Sequence, residues 1–313
     1  MSPRLLREST ETTDQLSDVL RLVEVHSVVT GGFAVGGVWT TRFEMSSPLK
    51  FLAVAQGRAT LVADGVRGPI DIATGDVVIL NRRSWATLSG GTDGLARPFA
   101  LTEPNTFTRL DDRGDDVILG GHVDANQVGE DLLVASLPPV VHVRASAADA
   151  GNLRDILERI WEEATGGRVG AEFAINQHAQ LMVLTVLRAY ISQADELPTG
   201  WLRLLADERL RAAVSLMHTD PGRRWRLDEL ARAATMSRTT FAERFREVAG
   251  TPPLAYLSTW RMRLAQRALR EGDVRIGPLA VDLGYASESA FSNAFKREVG
   301  VSPLRYRAGA RQK

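Results

Sequence analysis

The spacing of apolar and polar positions changes period along the chain. From about residue 20 to 145, short runs of Val, Ile, Leu, Phe and Ala are separated by Gln56-Gly57, Asp64-Gly65 and Thr74-Gly75-Asp76. Brief apolar runs between such turn residues predict short strands with hairpin punctuation, and several together predict a small barrel or sandwich. After "LPPVVHVRASAADAG" the period becomes helical. Ile156, Ile160 and Trp161 mark one helix, and Phe173, Ile175, Leu181, Leu184, Val186 and Leu187 mark a longer one from about 171 to 193. The longer helix is apolar on more than one side, so it is either buried in its own domain or shared with a twin across a dimer interface. "SQADELPTG", ending at Gly200, reads as a linker.

Beyond Trp201 the pattern is helical nearly to the end, and it repeats. "SRTTFAERFREVAGTPP" at 237–253 and "SESAFSNAFKREVGVSP" at 287–303 hold Ser, two Phe, Gly and Pro in place while most polar letters change. Each copy follows a short amphipathic stripe, Leu227, Leu230, Ala231 and Ala234 or Ile276, Leu279, Ala280 and Leu283, at helical spacing. A tight break comes next, with Gly284 available for positive φ in the second copy. Ser237 and Ser287 are placed as N-caps, and Phe241/Phe245 and Phe291/Phe295 share one face of the helix that follows. Helix, short turn, helix is an arrangement whose second member can enter a major groove. Between the copies, "PPLAYLSTWRMRLAQRALREGD" predicts a rod with Leu257, Trp260, Leu264 and Ala268 on one stripe and Arg261, Arg263 and Arg267 elsewhere.

Charge sharpens this picture. The chain is neutral overall, but residues 199–313 carry 21 Lys/Arg against 12 Asp/Glu, a net +9, leaving −9 for the rest. Such asymmetry points to a polyanionic partner for one end. The absence of cysteine rules out disulfides, thiolate metal sites and thiol redox switches. No apolar run is long enough to span a bilayer and the start has no secretory pattern, so a cytoplasmic location without membrane association is expected. "DDRGDD" at 111–116 reads as an exposed acidic loop, since it lacks calcium-loop spacing.

The stretch from "LDELARAATMSRTTF" through Trp260-Arg261-Met262, Gly284-Tyr285 and Phe295-Lys296-Arg297 to Gly300-Val301-Ser302-Pro303 resembles the DNA-binding domain of the AraC/XylS family of bacterial transcription regulators, over roughly residues 204–307. "LKF", "GDVVIL", "SLPPVVHV" and "HTDPGRRW" resemble the subgroup with an N-terminal cupin-type barrel, over about 14–145. The chain departs from metal-binding cupins. The expected His-x-His pair is missing around Lys50 to Leu52, and Asn81, Arg83 and Ala86 follow Gly75 where that motif ends in His. The five histidines have no ligand spacing, so neither metal nor cofactor is expected.

The resemblance implies an α+β multidomain chain. Residues 1–145 form a cupin-like regulatory β-barrel, 146–198 a helical dimerisation or linker segment, and 199–313 an all-α domain of two helix-turn-helix units joined by a long helix. The expected partners are double-stranded DNA, a second copy of the chain, a possible small-molecule effector and, for an activator, RNA polymerase. The expected DNA-facing residues are Arg238, Thr239, Ala242, Glu243 and Arg246 in the first copy. In the second they are Glu288, Ser289, Ser292, Asn293, Lys296 and Arg297. Base readout falls to Thr239, Ala242 and Glu243 by resemblance, with Glu243 suited to a cytosine amino group and Asn293 to adenine, while Arg246, Lys296 and Arg297 meet phosphates. A metal-free cupin-type enzyme fused to a DNA-binding module is the alternative, although the chain shows no assembled acid/base or nucleophile motif. The aromatic residues Trp39, Phe51 and Trp85 are read as barrel core, and no effector site is named.

Overall fold

The structure, a computed structural model, describes residues 15–23, 25–91, 95–100, 106–110, 114–147, 151–193 and 197–310. Residues 111–113 of the acidic stretch, 194–196 of the linker and the first fourteen residues lie outside the described residues. Two compact units result. One holds residues 24–198, and the other holds the chain from Thr199 onward together with the helix α1 (Gln15–Val23).

In the first unit, β1 (Val25–Val35), β3 (Leu49–Gln56), β6 (Val77–Asn81), β9 (Phe107–Arg109), β10 (Asp116–Ala125) and β11 (Val140–Val143) form a sheet in the order β11-β6-β3-β10-β1-β9. A second sheet, β5-β4-β7-β2-β8, is built from β2 (Trp39–Glu44), β4 (Arg58–Ala63), β5 (Ile70–Ala73), β7 (Trp85–Gly90) and β8 (Arg97–Pro98). Leu52, Val54, Val78, Leu80 and Ile118 from the first sheet meet Trp39, Leu61, Ile72, Ala86 and Leu88 from the second in one buried core.

Among the described residues no ladder joins the two sheets, so the expected barrel is not closed. The reason lies at two of the three expected hairpin turns. Gly57 and Gly75 both take φ of 88° and carry the chain from one sheet to the other, β3 to β4 and β5 to β6. The corners are tied together, for Thr74 N–H donates to the Gly57 carbonyl at 3.1 Å and Gly57 N–H to Thr74 Oγ1 at 2.9 Å. Only the turn containing Asp64-Gly65 lies within a hairpin, β4 pairing with β5. Asp116 also departs from the expected exposed loop. It is buried and accepts from Trp39 Nε1 at 2.7 Å and from Arg58 N–H at 2.9 Å.

The helices α2 (Gln127–Ser136), α3 (Leu153–Gly166) and α4 (Ala171–Gln193) belong to this unit. Leu153, Ile156, Leu157 and Ile160 of α3 are buried, as are Ile175, Ala179, Met182, Val183, Val186 and Leu187 of α4. The α3–α4 segment thus packs with the sheets, while Phe173 and Leu181 of α4 stay exposed.

The second unit continues through α5 (Trp201–Ala206), α6 (Arg211–Thr219), α7 (Leu227–Ala233), α8 (Arg238–Ala249), α9 (Pro253–Glu271), α10 (Ile276–Asp282), α11 (Glu288–Val299) and α12 (Pro303–Ala310). It has two cores. Leu230, Ala231, Phe241 and Phe245 gather in one, and Leu279, Ala280, Phe291 and Phe295 in the other. α9, at 19 residues about 28 Å long, serves both. It gives Tyr256 and Leu257 to the first core and Met262, Ala265 and Leu269 to the second. The expected stripe is buried at Leu257 and Trp260 and continues to Leu264 and Ala268, which are half-buried against the second core beside Met262, Ala265 and Leu269.

Against this unit α1 packs on α6 and α9, with Gln15 Nε2 donating to the Arg211 carbonyl at 2.7 Å. Sequence spacing did not place α1 there.

Candidate nucleic-acid interface

The two copies build the same turn from different letters. Thr235 N–H donates to the Arg232 carbonyl at 3.0 Å and Met236 N–H to that of Ala231 at 2.9 Å. Gly284 and Tyr285 repeat both bonds, to Val281 and Ala280, each at 2.9 Å. The pivot is left-handed in each, φ 56° at Thr235 and 79° at Gly284. A second copy with Gly at this pivot meets no Cβ penalty, whereas the first holds a β-branched residue where such residues are strained.

The helices that follow also match. Ser237 Oγ accepts from Thr240 N–H at 3.2 Å and Ser287 Oγ from Ala290 N–H at 3.1 Å, so both predicted N-caps are present. Gly250 and Gly300, at φ 74° and 85°, close α8 and α11. The Phe241 and Phe245 rings lie 5.7 Å apart, and Phe245 meets Tyr256 edge-on at 5.5 Å. In the second copy Phe291, Phe295 and Tyr306 reproduce this at 5.8 and 5.6 Å. The tyrosines were legible in the sequence, since Pro-Leu-x-Tyr occurs at 253–256 and again at 303–306.

With the phenylalanines inward, the opposite faces of α8 and α11 are solvent-facing. Arg238, Thr239, Glu243 and Arg246 are exposed on α8, with Ala242 half-buried. On α11, Glu288, Ser289, Asn293, Lys296 and Arg297 are exposed, with Ser292 half-buried. All eleven expected residues thus occupy two equivalent faces.

Many cations of the helical unit are held in ion pairs. Arg223 pairs with Glu229 at 2.7 Å, Arg232 with Asp228 at 2.9 Å, Arg244 with Asp207 at 2.7 Å and Arg267 with Glu271 at 2.6 Å. Among the described residues Arg238, Arg246, Lys296 and Arg297 make no such pair, as holds also for Arg209, Arg224, Arg275 and Arg305 elsewhere in the unit. Free cations on exposed helix faces suit a phosphate backbone.

Arg261 has a different role. Its Nε donates to the Pro221 carbonyl at 2.6 Å and its Nη2 to that of Arg223 at 2.9 Å, while the guanidinium lies 5.9 Å from the Tyr285 ring centre. It clasps the 221–223 loop beside the second turn, where Gly222 and Gly284 approach so closely that a Cβ on either would strike the other segment's backbone.

His218 is buried, its ring stacked 3.8 Å from that of Trp260 and its Nε2 2.8 Å from the Tyr256 hydroxyl. Burial lowers its pKa below the usual 6.5, and Asp18 of α1, with Oδ2 3.6 Å from Nδ1, partly offsets that shift.

A family profile described as a cupin matches residues 14–192, and one described as a helix-turn-helix domain matches 230–309. The chain is 37% identical over 301 residues to the "Putative AraC-like transcription regulator" of Streptomyces lividans, covering 94% of this chain and 98% of that one. A protein of the same name from Streptomyces antibioticus is equally similar, 37% over the same coverage. A solved structure of the DNA-binding domain of AdpA in complex with a target DNA is 35% identical and covers 34% of this chain and 96% of its own, with a TM-score of 0.33.

Proposed function

The chain belongs to the family of AraC-like transcription regulators and carries a cupin domain ahead of its helix-turn-helix domain, and from this premise we propose how it reads DNA. It is a DNA-binding transcription regulator rather than an enzyme. α7–α8 and α10–α11 act as two helix-turn-helix units, with α9 as the rod between them. α8 and α11 enter successive major-groove segments, whose centres lie about 34 Å apart along the duplex. The observation that carries this reading is the duplicated face, with Phe pairs buried and unpaired cations beside exposed polar side chains in both copies.

Thr239, Ala242 and Glu243 read one segment, and Glu288, Ser289, Ser292 and Asn293 the other. Arg238, Arg246, Lys296 and Arg297 hold phosphates. Because the variable positions differ between copies, the two half-sites differ in sequence. The cupin unit answers a small effector, and the chain pairs with a second copy through the exposed stripe of α4, where Phe173 is 71% accessible. An activator of this build also meets RNA polymerase.

The test is to select DNA from a random pool with the full chain and measure affinities of wild type and Asn293→Ala on the selected and scrambled duplexes. Asn293→Ala should lose about 1–3 kcal/mol on the selected site and little on scrambled DNA. Equal losses on both would assign Asn293 to the backbone instead.

A further inference from the structure

The interior of the sandwich is not wholly apolar. On β3, Lys50 shares the inward face with Leu52 and Val54 of the core. Its Nζ lies 4.9 Å from the Phe43 ring centre across the sandwich, and His122 of β10 stands in register beside it. Lys50, Phe43 and His122 are half-buried, so they rim an end that solvent reaches. Burial lowers the Lys50 pKa from 10.5, and among the described residues no carboxylate pairs with it.

Thr41 lies two residues from Phe43 on the same face of β2, hence about 7 Å deeper. It is 2% accessible, and among the described residues its hydroxyl has no hydrogen-bond partner. A buried hydroxyl left unpaired forfeits its hydration with nothing in exchange, so its retention there points to a missing partner. Gly120 faces the interior between His122 and Ile118. Among the described residues a Cβ placed on it would touch only Leu52 Cδ2, at 3.7 Å, so there is room beside Gly120 for at least a methyl group.

We propose that this end of the sandwich binds a short organic carboxylate carrying a second oxygen, such as a hydroxy acid. The carboxylate sits on Lys50 Nζ and the His122 ring N–H. The carbon chain passes Gly120 against Leu52 and Phe43, and the distal oxygen bonds Thr41 Oγ1. Where metal-binding cupins carry a His-x-His pair, this chain holds Lys50 and Leu52, so the site recognises an anion with an ammonium group. Its service as the effector site rests on the regulatory reading above, but its occupancy does not.

Calorimetric titration of the full chain without DNA tests it, using 4-hydroxybutyrate, butyrate and 1,4-butanediol as probes. The hydroxy acid should bind most tightly. Lys50→Met should weaken both acids at least about tenfold, to the level of the diol. Thr41→Val should abolish only the advantage of the hydroxy acid over butyrate. Both variants remove an unpaired polar group, so the empty proteins should melt no lower than wild type, which separates lost binding from lost fold. Gly120→Ala should weaken all three probes. No binding by any probe, a diol that binds as tightly as the acids, or unchanged affinities in Lys50→Met or Thr41→Val would overturn the assignment. Failure here leaves DNA binding standing, and a chain that ignores DNA still reports on this site.

Discussion

Replacing Gly284 with Ala is a severe perturbation for the exchange of one hydrogen for a methyl group. At φ 79° an Ala costs about 1 kcal/mol more than Gly. Its Cβ would also fall within contact distance of the Gly222 carbonyl oxygen and 2.9 Å from the carbonyl carbon, both backbone atoms. Relief requires the 221–223 loop to move, yet Arg261 holds that loop by two hydrogen bonds. Overpacking of this kind costs about 1–3 kcal/mol. The sum, about 2–4 kcal/mol, is a large part of a domain's stability and corresponds to roughly 7–15 °C in the melting temperature of a unit this size. Differential scanning calorimetry of the full chain should show the transition of the helical unit fall by that amount while that of the sandwich stays in place. The mirror change, Thr235→Gly, relieves the same conformation in the first copy, where the side chain is exposed, and should stabilise by about 0.5–1 kcal/mol. A Gly284→Ala protein that melts with wild type, or a Thr235→Gly protein no more stable than wild type, would refute the equivalence of the two turns.

Other consequences follow from the same geometry. Lys296→Ala or Arg297→Ala should weaken binding nearly uniformly across DNA sequences and lower the slope of log affinity against log salt by about 1. Ser287→Ala should cost the helical unit about 1 kcal/mol in urea unfolding through loss of the bond to Ala290 N–H. His218 gives a pH signature. Above its unfolded pKa of 6.5 the ring is neutral in both states and contributes nothing. Below it the unfolded chain takes the proton first, so stability falls with pH by up to about 1.4 kcal/mol per unit until the folded pKa is reached. Urea midpoints should therefore drop below pH 6.5 in wild type, go on dropping to lower pH in Asp18→Asn, and flatten in His218→Gln. Phe173→Glu should shift the full chain toward monomer in sedimentation velocity if the exposed stripe of α4 pairs copies.

Much of the helical unit was legible because a repeat compares itself. Constants at equal offsets, Ser237/Ser287, the Phe pairs and Gly250/Gly300, are the residues that cap, fill and end each helix, and the letters free to vary face solvent. Thr235 was not legible as a pivot, because only hydrogen bonds reveal that it takes the place of Gly284, one residue out of step with the fifty-residue offset. Nor was α1, whose partners on α6 and α9 lie far along the chain, beyond the reach of any local period. The sandwich misled in a different way. Gly57 and Gly75 look like hairpin glycines, but positive φ also turns a chain across a gap between sheets, and only long-range pairing tells the two uses apart. Asp116 belongs to an acidic run yet is buried, since Trp39 Nε1 and Arg58 N–H compensate it from 77 and 58 residues away.

The measurement that bears most directly on the two-groove reading is a base-resolution footprint of the full chain on its selected DNA, with methylation interference to mark major-groove guanines. Two major-groove contact segments with different sequences, about one helical turn apart, are expected. Contacts in the first should be lost on changing Glu243 and Thr239 to Ala, and those in the second on changing Asn293 and Ser289. A single protected segment, or two that respond together to changes in either helix, would contradict it.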